Sequence, residues 1–457
     1  MPELHVGICG GGIGGLAAAI AIRRAGCKVT VLEAAAELGE IGAGIQMTPN
    51  VARLLMRWGT DKYIGANLVE FEEVYLRRKD GTKVGYARTV PNIRRNMCGV
   101  PWWCVHRMHL HSGLAESAKD HGAEICIDSR VVKIDWLSSK QVQVTTAQGK
   151  EWTFDLLIGA DGLRSVVRST ILPHVKPRPP TKNCAYRAIV PTEEVAKDPV
   201  AKELVAKVQM DIWMSPGAYI ISYPISNGKD FNMVVSHHRP NYVEDVEDVD
   251  MDEFRTVYQD FDPRIKRVLD MVPTTRRWPL LVTGPLDTWS TPQKNIGDAA
   301  HSMVNHMAQG AATSMEDGAF LALTLKRVAD GTLTLAQAIE IYEKTRMPLA
   351  YNKQQVSFIN GSIWMMEDGP AQQARDKAME PELRGEQLVR SPNLYSDPFT
   401  ALSIFGYDAE ADAEKAVEAY LKKHEPYNAT TGVTDREWER FYGYFHPAGN
   451  EVMASKL

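Results

Sequence analysis

The sequence is poor in cysteine, the residue on which small secreted scaffolds depend. Its 457 residues include six cysteines, at positions 9, 27, 98, 104, 126 and 184, and no two of them form a CxxC pair. This usage argues against a disulfide-rich scaffold and indicates buried thiols in a reducing compartment. No metal site is expected.

Long apolar runs and an excess of positive charge are missing as well. No run reaches the roughly 20 apolar residues that a membrane-spanning helix needs, so no membrane span is expected. The net charge is −5 and the isoelectric point is near 6.2. A nucleic-acid partner is therefore not expected, because such surfaces carry clustered positive charge. Internal repeats and low-complexity segments are also absent, and the length suffices for a sizeable core.

The chain opens with a pattern typical of nucleotide-binding folds. Apolar residues 4–9 predict a buried strand, alanine-rich residues 16–25 a helix, and residues 28–32 a second strand. The turn between the first strand and the helix fits G-x-G-x-x-G with Gly10, Gly12 and Gly15, and Glu33 follows the second strand. Such glycines let a pyrophosphate approach the helix amino terminus, and such a carboxylate holds a ribose hydroxyl. The motif predicts a dinucleotide site without separating NAD from FAD.

Two later segments share a strand that ends in a carboxylate at a glycine turn. In residues 155–168 the carboxylate is Asp161, and in residues 296–318 it is Asp298, which follows Gly297. Asp298 is suited to hold a ribityl hydroxyl, although either aspartate alone would be an ordinary turn or capping residue. The small residues Gly310, Ala311 and Ala312 let a helix begin close to a flat ligand. The positive end of that helix would stabilise a reduced flavin, so the combination favours FAD.

Together these segments resemble the GxGxxG, DG and GD fingerprints of the group A flavoprotein monooxygenases, the salicylate-hydroxylase-like family, and its fungal members in particular. Residues 40–46 and 105–107 also resemble family patterns in the expected order, and the resemblance spans roughly residues 4–350. It implies that FAD is bound by Glu33, Ala43 or Gly44, Arg107, Asp298 and Ala311. In the family the DG segment also serves NADH or NADPH. Considered alone, Arg107 would be a surface ion pair near a helix start.

The fold expected from this resemblance is α/β: an FAD-binding Rossmann-like domain, an inserted antiparallel β-sheet substrate domain and a helical C-terminal region. The FAD-binding domain is expected in residues 1–176 and 286–360, and the mainly β domain in residues 177–285. Within the latter, residues 219–225 and 231–236 predict strands of a hairpin joined across Asn227-Gly228. Further helices are expected at 49–57, 106–119, 334–358 with Thr334 as N-cap, and 409–424. Residues 361–457 are the hardest to interpret, and homodimerisation is one role for them.

The family's substrate pocket lies between the flavin and the β-domain. Arg187 matches a position where relatives carry a substrate-facing arginine, and Tyr223 matches a substrate-contacting tyrosine of fungal relatives. A guanidinium grips a carboxylate or phenolate, and a tyrosine orients the ring. The ordinary alternatives are a strand arginine in solvent and a half-buried strand tyrosine. Tyr219 is a weaker candidate.

The sequence departs from the family just before the helix that begins near Gly310. Ser302 and Asn305 stand where relatives usually carry proline, and Asn305 should lie close to the reactive face of the flavin. His306 follows, and a histidine there is able to deprotonate a phenol. The alternatives for His306 are hydrogen bonding to the backbone or contact with the ring without titration.

These observations predict a monooxygenase that uses FAD, NADH or NADPH, and O2 to hydroxylate a small phenolic substrate. A hydroxybenzoate is expected, with decarboxylation if a carboxylate occupies the attacked carbon, as in salicylate 1-monooxygenase or 4-hydroxybenzoate 1-hydroxylase. Tailoring of a fungal polyketide or alkaloid is the second hypothesis. Two other classes stay open: a NAD-dependent dehydrogenase, which explains the first motif alone, and a non-catalytic FAD-binding subunit, which explains all three.

The two ends of the sequence suggest where the protein is located. The final residues Ser455, Lys456 and Leu457 form the tripeptide that the peroxisomal import receptor recognises. At the other end, the apolar stretch begins at residue 4 and leaves no room for a signal peptide. We therefore expect a peroxisomal protein, and a cytoplasmic one if the ending is a coincidence.

Overall fold

The computed structural model describes residues 3–39, 42–88, 99–137, 141–179, 181–291, 294–296, 300–386 and 388–423. Several residues singled out from the sequence lie outside this part of the chain. They are Glu40 and Ile41 of one family pattern, Gly297 and Asp298 of another, and the terminal residues 455–457.

The strands of the described residues fall into four sheets. In chain order they are β1 (His5–Cys9), β2 (Lys28–Leu32), β3 (Gly44–Met47), β4 (Val69–Glu70), β5 (Glu73–Arg78), β6 (Lys83–Arg88), β7 (Trp103–His106), β8 (Glu124–Cys126), β9 (Val131–Trp136), β10 (Val142–Thr146), β11 (Glu151–Phe154), β12 (Leu156–Gly159), β13 (Asn183–Pro191), β14 (Gln209–Ser215), β15 (Ala218–Ile225), β16 (Asp230–His238), β17 (Glu247–Asp248), β18 (Arg276–Pro279), β19 (Ser290–Thr291) and β20 (Lys294–Ile296).

Helices pack against the two largest of these sheets. They are α1 (Ile13–Arg24), α2 (Pro49–Trp58), α3 (Asp61–Ile64), α4 (Arg107–Asp120), α5 (Val166–Ile171), α6 (Thr192–Lys197), α7 (Met251–Val257), α8 (Pro263–Asp270), α9 (Gly310–Ala329), α10 (Leu335–Trp364), α11 (Pro370–Met379), α12 (Pro398–Thr400) and α13 (Ala409–Lys423). Within the described ranges, none of them combines the length and apolarity that crossing a membrane requires.

The nucleotide-binding part is built on a six-stranded sheet with the order β19-β20-β12-β1-β2-β8. β1 pairs in parallel with both β2 and β12, and β20 and β8 extend the parallel set on either side. α1 packs against α4 and α9, which buries its alanine-rich sequence nearly all round. Strands covered in this way are apolar along their whole length, as residues 4–9 are. The carboxyl ends of β1, β2, β12 and β20 meet at one edge of the sheet.

The second large sheet has eight strands in the order β17-β18-β13-β16-β15-β14-β5-β6. The sequence placed residues 1–176 in the FAD-binding domain, yet β5 and β6 from that range extend this sheet. β5 joins this sheet because its pairing with β14 buries an apolar face of both strands. Val74 and Leu76 of β5 pair in parallel with Met210 and Ile212 of β14, and all four side chains are buried. Strand pairing follows such a shared apolar face rather than proximity along the chain.

The local signals in the sequence are confirmed where they can be compared. β15 and β16 form the predicted hairpin, and its turn places Ser226, Asn227 and Gly228 at φ values of 53°, 56° and 76°. α10 begins after Thr334, whose hydroxyl accepts a hydrogen bond from the Gln337 amide at 3.3 Å. The Gln337 side chain accepts one from the Thr334 amide at 2.8 Å, which completes a capping box.

The C-terminal region packs into the body of the protein. Tyr395 stacks on Trp102 with ring centroids 5.2 Å apart, and Phe405 lies 4.6 Å from the same indole. The Tyr395 ring also lies parallel to that of Trp364, at the end of α10, at 6.0 Å. α13 packs its buried alanines on α9. Residues 388–423 therefore share cores with both sheets.

Candidate active site

The glycine turn after β1 cannot carry larger side chains at two of its positions. Gly10 has φ +102°, and a Cβ on it would lie 2.3 Å from the carbonyl oxygen of Ala160. A Cβ on Gly15 would lie 2.0 Å from the carbonyl oxygen of Gly10. Gly12, by contrast, faces open space, with no atom within 4 Å of where its Cβ would be. The turn thus presses the start of α1 against β12 and leaves room at Gly12 for a ligand.

Glu33 follows β2 at the carboxyl edge of the sheet. One carboxylate oxygen accepts a hydrogen bond from the Gly11 amide at 2.6 Å, and the other accepts one from the Ala35 amide at 2.7 Å. The side chain is therefore fixed across the glycine turn. A carboxylate held there has lone pairs left for the hydroxyls of a ribose.

A cleft of about 480 Å³ runs along this edge and collects most of the predicted cofactor residues. Its walls include Gly10, Gly12, Glu33, Arg107, Asp161, Gly310 and Ala311. The volume is in the range of cofactor sites. Ala312 is fully buried one residue beyond the cleft wall. Gly297 and Asp298 lie outside the described residues, but β20 ends at Ile296, beside Gly159 of β12.

Asp161 and Arg107 line this cleft in different ways. The Asp161 carboxylate accepts hydrogen bonds from the Val166 amide at 2.7 Å and from the Ser165 hydroxyl, so it also caps the turn into α5. Arg107 is the first residue of α4, and its amide donates to the carbonyl of Ala43 at 3.1 Å. That bond fixes the start of α4 beside the segment that leads into β3, and the Arg107 side chain reaches the cleft wall.

Some residues around the cleft carried no signal in the sequence. Arg164 and Ser314 line the cleft within the two later motif segments, whereas Arg130 lines it from the segment between β8 and β9, outside any motif. His111, buried on α4, hydrogen-bonds the carbonyl of Gly11 at 2.7 Å and supports the glycine turn. His111 is 100 residues from Gly11 along the chain, so spacing could not reveal this contact.

Arg187 and Tyr223 lie on the same face of the eight-stranded sheet. Tyr223 pairs with Asn232, two residues from the Val234 that pairs with Arg187, and alternate residues of a strand share a face. The Arg187 guanidinium lies 5.0 Å from the ring centroid of Trp278, on β18. This contact gives the charged group an aromatic support that the sequence did not reveal.

Tyr223 sits where the two main parts of the protein meet. Its ring is 2% exposed, and a Cβ on Gly44 would lie 2.7 Å from it. Asn232 accepts a hydrogen bond from the Gly44 amide at 2.7 Å and so joins the eight-stranded sheet to β3. Burial raises the pKa of Tyr223 well above its usual value, partly opposed by the positive charge of Arg187. The tyrosine is a neutral group at this junction.

His306 lies between Tyr219 of β15 and Gly361 of α10. The Tyr219 hydroxyl is 2.8 Å from His306 Nδ1 and 3.2 Å from the side-chain oxygen of Asn305, and the amide of Asn360 donates to the His306 carbonyl at 2.6 Å. A Cβ on Gly361 would lie 2.5 Å from the imidazole. Burial lowers the pKa of His306 to about 3. This placement fits the alternative of a packed, neutral histidine better than that of a base.

The residues present fit FAD rather than a smaller nucleotide. The open position at Gly12 suits a pyrophosphate, and Glu33 suits the adenosine ribose. The cleft continues from there to the amino terminus of α9 at Gly310 and Ala311, where a flavin ring would lie. A site that spans a dinucleotide and ends at a helix amino terminus suited to a flavin is typical of an FAD-dependent oxidoreductase.

Comparison with known proteins specifies the family. Residues 3–357 match the model described as FAD binding domain. The FAD-dependent monooxygenase OpS4 of Beauveria bassiana is 32% identical over 91% of this chain and 97% of its own length. A 3-hydroxybenzoate 6-hydroxylase of Klebsiella oxytoca is 34% identical over 75% of this chain and 84% of its own. The structure of a salicylate hydroxylase substrate complex covers 90% of this chain and 97% of its own, with a TM-score of 0.72 at 21% identity.

The chain therefore belongs to the family of FAD-dependent aromatic hydroxylases, the group A flavoprotein monooxygenases. It is a flavoprotein monooxygenase with an α/β FAD-binding fold. Both the family and the fold agree with what the sequence motifs predicted.

Proposed function

We propose that the protein uses NADH or NADPH and O2 to hydroxylate a phenolic acid of the hydroxybenzoate type. FAD bound in the cleft would supply the redox chemistry, taking electrons from the nicotinamide and delivering oxygen to an electron-rich ring. The observation that carries the proposal is that Arg187 and Tyr223 lie on the same face of the eight-stranded sheet, and that Tyr223 on this face contacts Gly44.

The guanidinium of Arg187 supplies the charge that a phenolic acid needs. An arginine held over Trp278 is preorganised, so little side-chain freedom is lost when it grips a carboxylate or phenolate. A phenolate is more nucleophilic than a phenol, and a nearby cation stabilises it. Because His306 is buried and neutral, activation in this proposal relies on that cation rather than on a histidine base.

Tyr223 and its surroundings orient the ring and exclude water. The hydroxyl of a buried tyrosine offers one hydrogen bond in an apolar setting, which fixes the rotation of a bound phenol. Water exclusion strengthens the attraction between Arg187 and an anionic substrate. The protein's contribution is therefore binding and orientation of the substrate.

The positive rim of the cleft supports a nicotinamide co-substrate. Arg130 and Arg164 border the cleft near Asp161, and the phosphates of NADH or NADPH are anionic. Rates of NADH and NADPH consumption measure which of these co-substrates is preferred.

A larger natural-product phenol is the second candidate, and one observation favours it. The fungal monooxygenase OpS4 aligns with 91% of this chain, whereas the bacterial 3-hydroxybenzoate 6-hydroxylase aligns with 75%. The longer sequence match to a fungal enzyme supports this second candidate.

The test is NADH and NADPH consumption by the purified flavoprotein against a panel of mono- and dihydroxybenzoates, with product masses recorded. Matched phenols without the carboxylate serve as controls. The proposal expects faster consumption with the acids and a product heavier by one oxygen, or one in which CO2 is replaced by hydroxyl. Activity on larger phenols alone would favour the second candidate. A normal flavin spectrum with no stimulation by any phenol would favour a non-catalytic FAD-binding protein.

A further inference from the structure

A cluster of buried charges lies behind the helix that lines the flavin cleft. Glu316, on α9, is fully buried and accepts hydrogen bonds from the Lys353 ammonium at 2.6 Å and 2.7 Å and from Arg346 at 2.9 Å. Arg346 also donates to Asp317 at 2.7 Å. Two carboxylates on α9 thus face two cations on α10, with side chains at most 3% exposed.

Hydrogen bonds link the cluster to Gln309, the residue directly before α9. Asn50 donates to Glu316 at 2.6 Å and to the side-chain oxygen of Gln309 at 3.1 Å. Gln309 in turn donates to the Thr48 hydroxyl at 3.1 Å. Thr48, Asn50 and Gln309 are fully buried. Since Gln309 directly precedes Gly310, the charged cluster is connected by hydrogen bonds to the point where α9 begins.

The C-terminal region covers the same cluster. The Tyr407 ring lies 5.2 Å from the Arg346 guanidinium carbon and 5.7 Å from the Lys353 nitrogen. Its hydroxyl donates to Asp412 at 3.0 Å, on α13. Arg53 of α2 donates to the carbonyls of residues 406 and 407, both at 3.0 Å, and so keeps that segment in place.

Such a cluster is a poor way to gain stability alone. Burying ions costs several kcal/mol each, and well-packed apolar residues often serve equally well. Its hydrogen bonds do, however, define one arrangement of the groups that they join. Here the joined groups are α2, α9, α10 and Gln309, the residue that leads into the cleft wall at Gly310 and Ala311.

We propose that Glu316, Lys353 and Asn50 are positioning residues that hold Gln309 and the amino terminus of α9 against the flavin. In that position the positive end of the helix favours the reduced, negatively charged flavin. The cluster thereby sets the reduction potential and the retention of FAD. The inference rests on FAD binding and does not depend on which aromatic substrate is used.

The first test uses the holoenzyme with Lys353→Met. The expected results are a more negative midpoint potential of the bound flavin and about tenfold faster flavin release on dilution, the size expected when hydrogen bonds to a buried charge are lost. Asn50→Ala leaves the Glu316–Lys353 ion pair intact but removes its connection to Gln309. It should shift the potential in the same direction, and it provides the test if Lys353→Met does not fold.

A matched control is a buried ion pair in the eight-stranded sheet. Arg77 and Asp211 form a buried ion pair at 2.6 Å on β5 and β14, away from the cleft. Asp211→Asn should lower the melting temperature while leaving the flavin potential and release rate unchanged. Gln309→Leu should reproduce the shift of Lys353→Met, and the double variant should shift the potential no further.

Two results would overturn the proposal. If Lys353→Met and Asn50→Ala lower the melting temperature but leave the flavin potential where it was, the cluster is structural only. If the shifts of Gln309→Leu and Lys353→Met add in the double variant, the cluster does not act through Gln309.

Discussion

At the scale of single residues, two arginines on neighbouring strands offer a matched comparison. Arg187 lies over Trp278 on the face that meets the FAD-binding part. Arg276, on β18, is exposed and pairs with Asp248 at 3.2 Å. Both carry the same charge on the same sheet, so they separate the effect of position from that of charge.

Arg187→Ala should raise the KM for a carboxylated substrate about tenfold to a hundredfold, because a hydrogen bond to a charged group contributes about 1.5–3 kcal/mol. FAD should stay bound. Arg276→Ala should leave the KM unchanged, since its partner is a surface carboxylate. Steady-state kinetics of both variants on the same substrate measure the difference. An unchanged KM in Arg187→Ala would remove this residue from the substrate site.

Glu33→Ala should weaken FAD retention. The substitution removes the acceptor for the Gly11 amide as well as the group that suits the ribose, so the turn loses its fixed form. Flavin content after dialysis is the measurement, with Glu124→Ala at the exposed start of β8 as control. Full flavin occupancy in Glu33→Ala would contradict the ribose role.

His306 should make the protein less stable at acid pH. Unfolded histidine takes up its proton near pH 6.5, whereas the folded-state pKa of His306 is about 3. Between these values the unfolded chain binds more protons, so stability falls as the pH is lowered. His306→Gln should flatten the fall of the urea midpoint between pH 6.5 and 4. The exposed His174→Gln variant is the control, and equal slopes in the two would show that His306 is not responsible.

The residues that spacing identified were those close together in the chain. Gly10, Gly12 and Glu33 belong to one strand–turn–helix–strand unit, so their contacts are local and their pattern is visible in sequence. Asn232 and Trp278 reach the site only through strand pairing, and nothing in their neighbours marks them. His306 was identified as a candidate from its place before Gly310, but its burial could not be predicted, because it packs against Gly361 of a distant helix.

At the scale of elements, local signals predicted where helices begin better than where strands pair. Thr334 and Gln337, only three residues apart, specify the start of α10, and the helix begins directly after Thr334. The end of α10 lies at Trp364, beyond the predicted 358, because packing of Ile359, Ile363 and Trp364 in the core stabilises the extra turn. The pairing of β5 with β14 was not predicted, since it depends on two apolar faces far apart in sequence.

Thr334→Ala should lower the free energy of unfolding by about 1 kcal/mol, the usual effect of losing an N-cap side chain. Urea denaturation of the holoenzyme is the measurement. Thr170→Ala, in α5, removes a hydroxyl that donates to the Val166 carbonyl of its own helix. It should cost less, because alanine favours helix interiors. Equal losses in the two variants would mean that the capping box contributes nothing specific.

At the scale of the whole molecule, residues 388–423 belong to the same folded unit as the FAD-binding part. Arg57 of α2 bonds Glu410 at 3.0 Å, and Trp58 donates to the same carboxylate at 3.0 Å. α13 therefore has polar contacts with α2 and apolar contacts with α9. The sequence could not show the contact with α2, because Arg57 and Glu410 are 353 residues apart along the chain.

Ala416→Glu should release α13 from α9, because a buried carboxylate without a partner is strongly unfavourable. The expected result is faster tryptic cleavage between residues 388 and 423 and a lower melting temperature. Ala411→Glu places the same charge on the exposed side of the same helix and is the control. Equal protease resistance in the two variants would show that the docking of α13 is not needed for a compact structure.

The strand order of the six-stranded sheet also determines how long its strands stay unpaired while the chain is being synthesised. β1, complete at residue 9, lies between β2 and β12, and the parallel set on the β12 side closes only with β20, at residue 296. At translation rates of about 5–20 residues per second, β1 waits roughly 8–30 s for its partner β12, and β12 then waits about as long for β20. During this interval the nascent chain exposes unpaired strand edges that attract other strands. The parallel sheet therefore makes the nascent chain, rather than the finished enzyme, the form that is exposed to association with other chains.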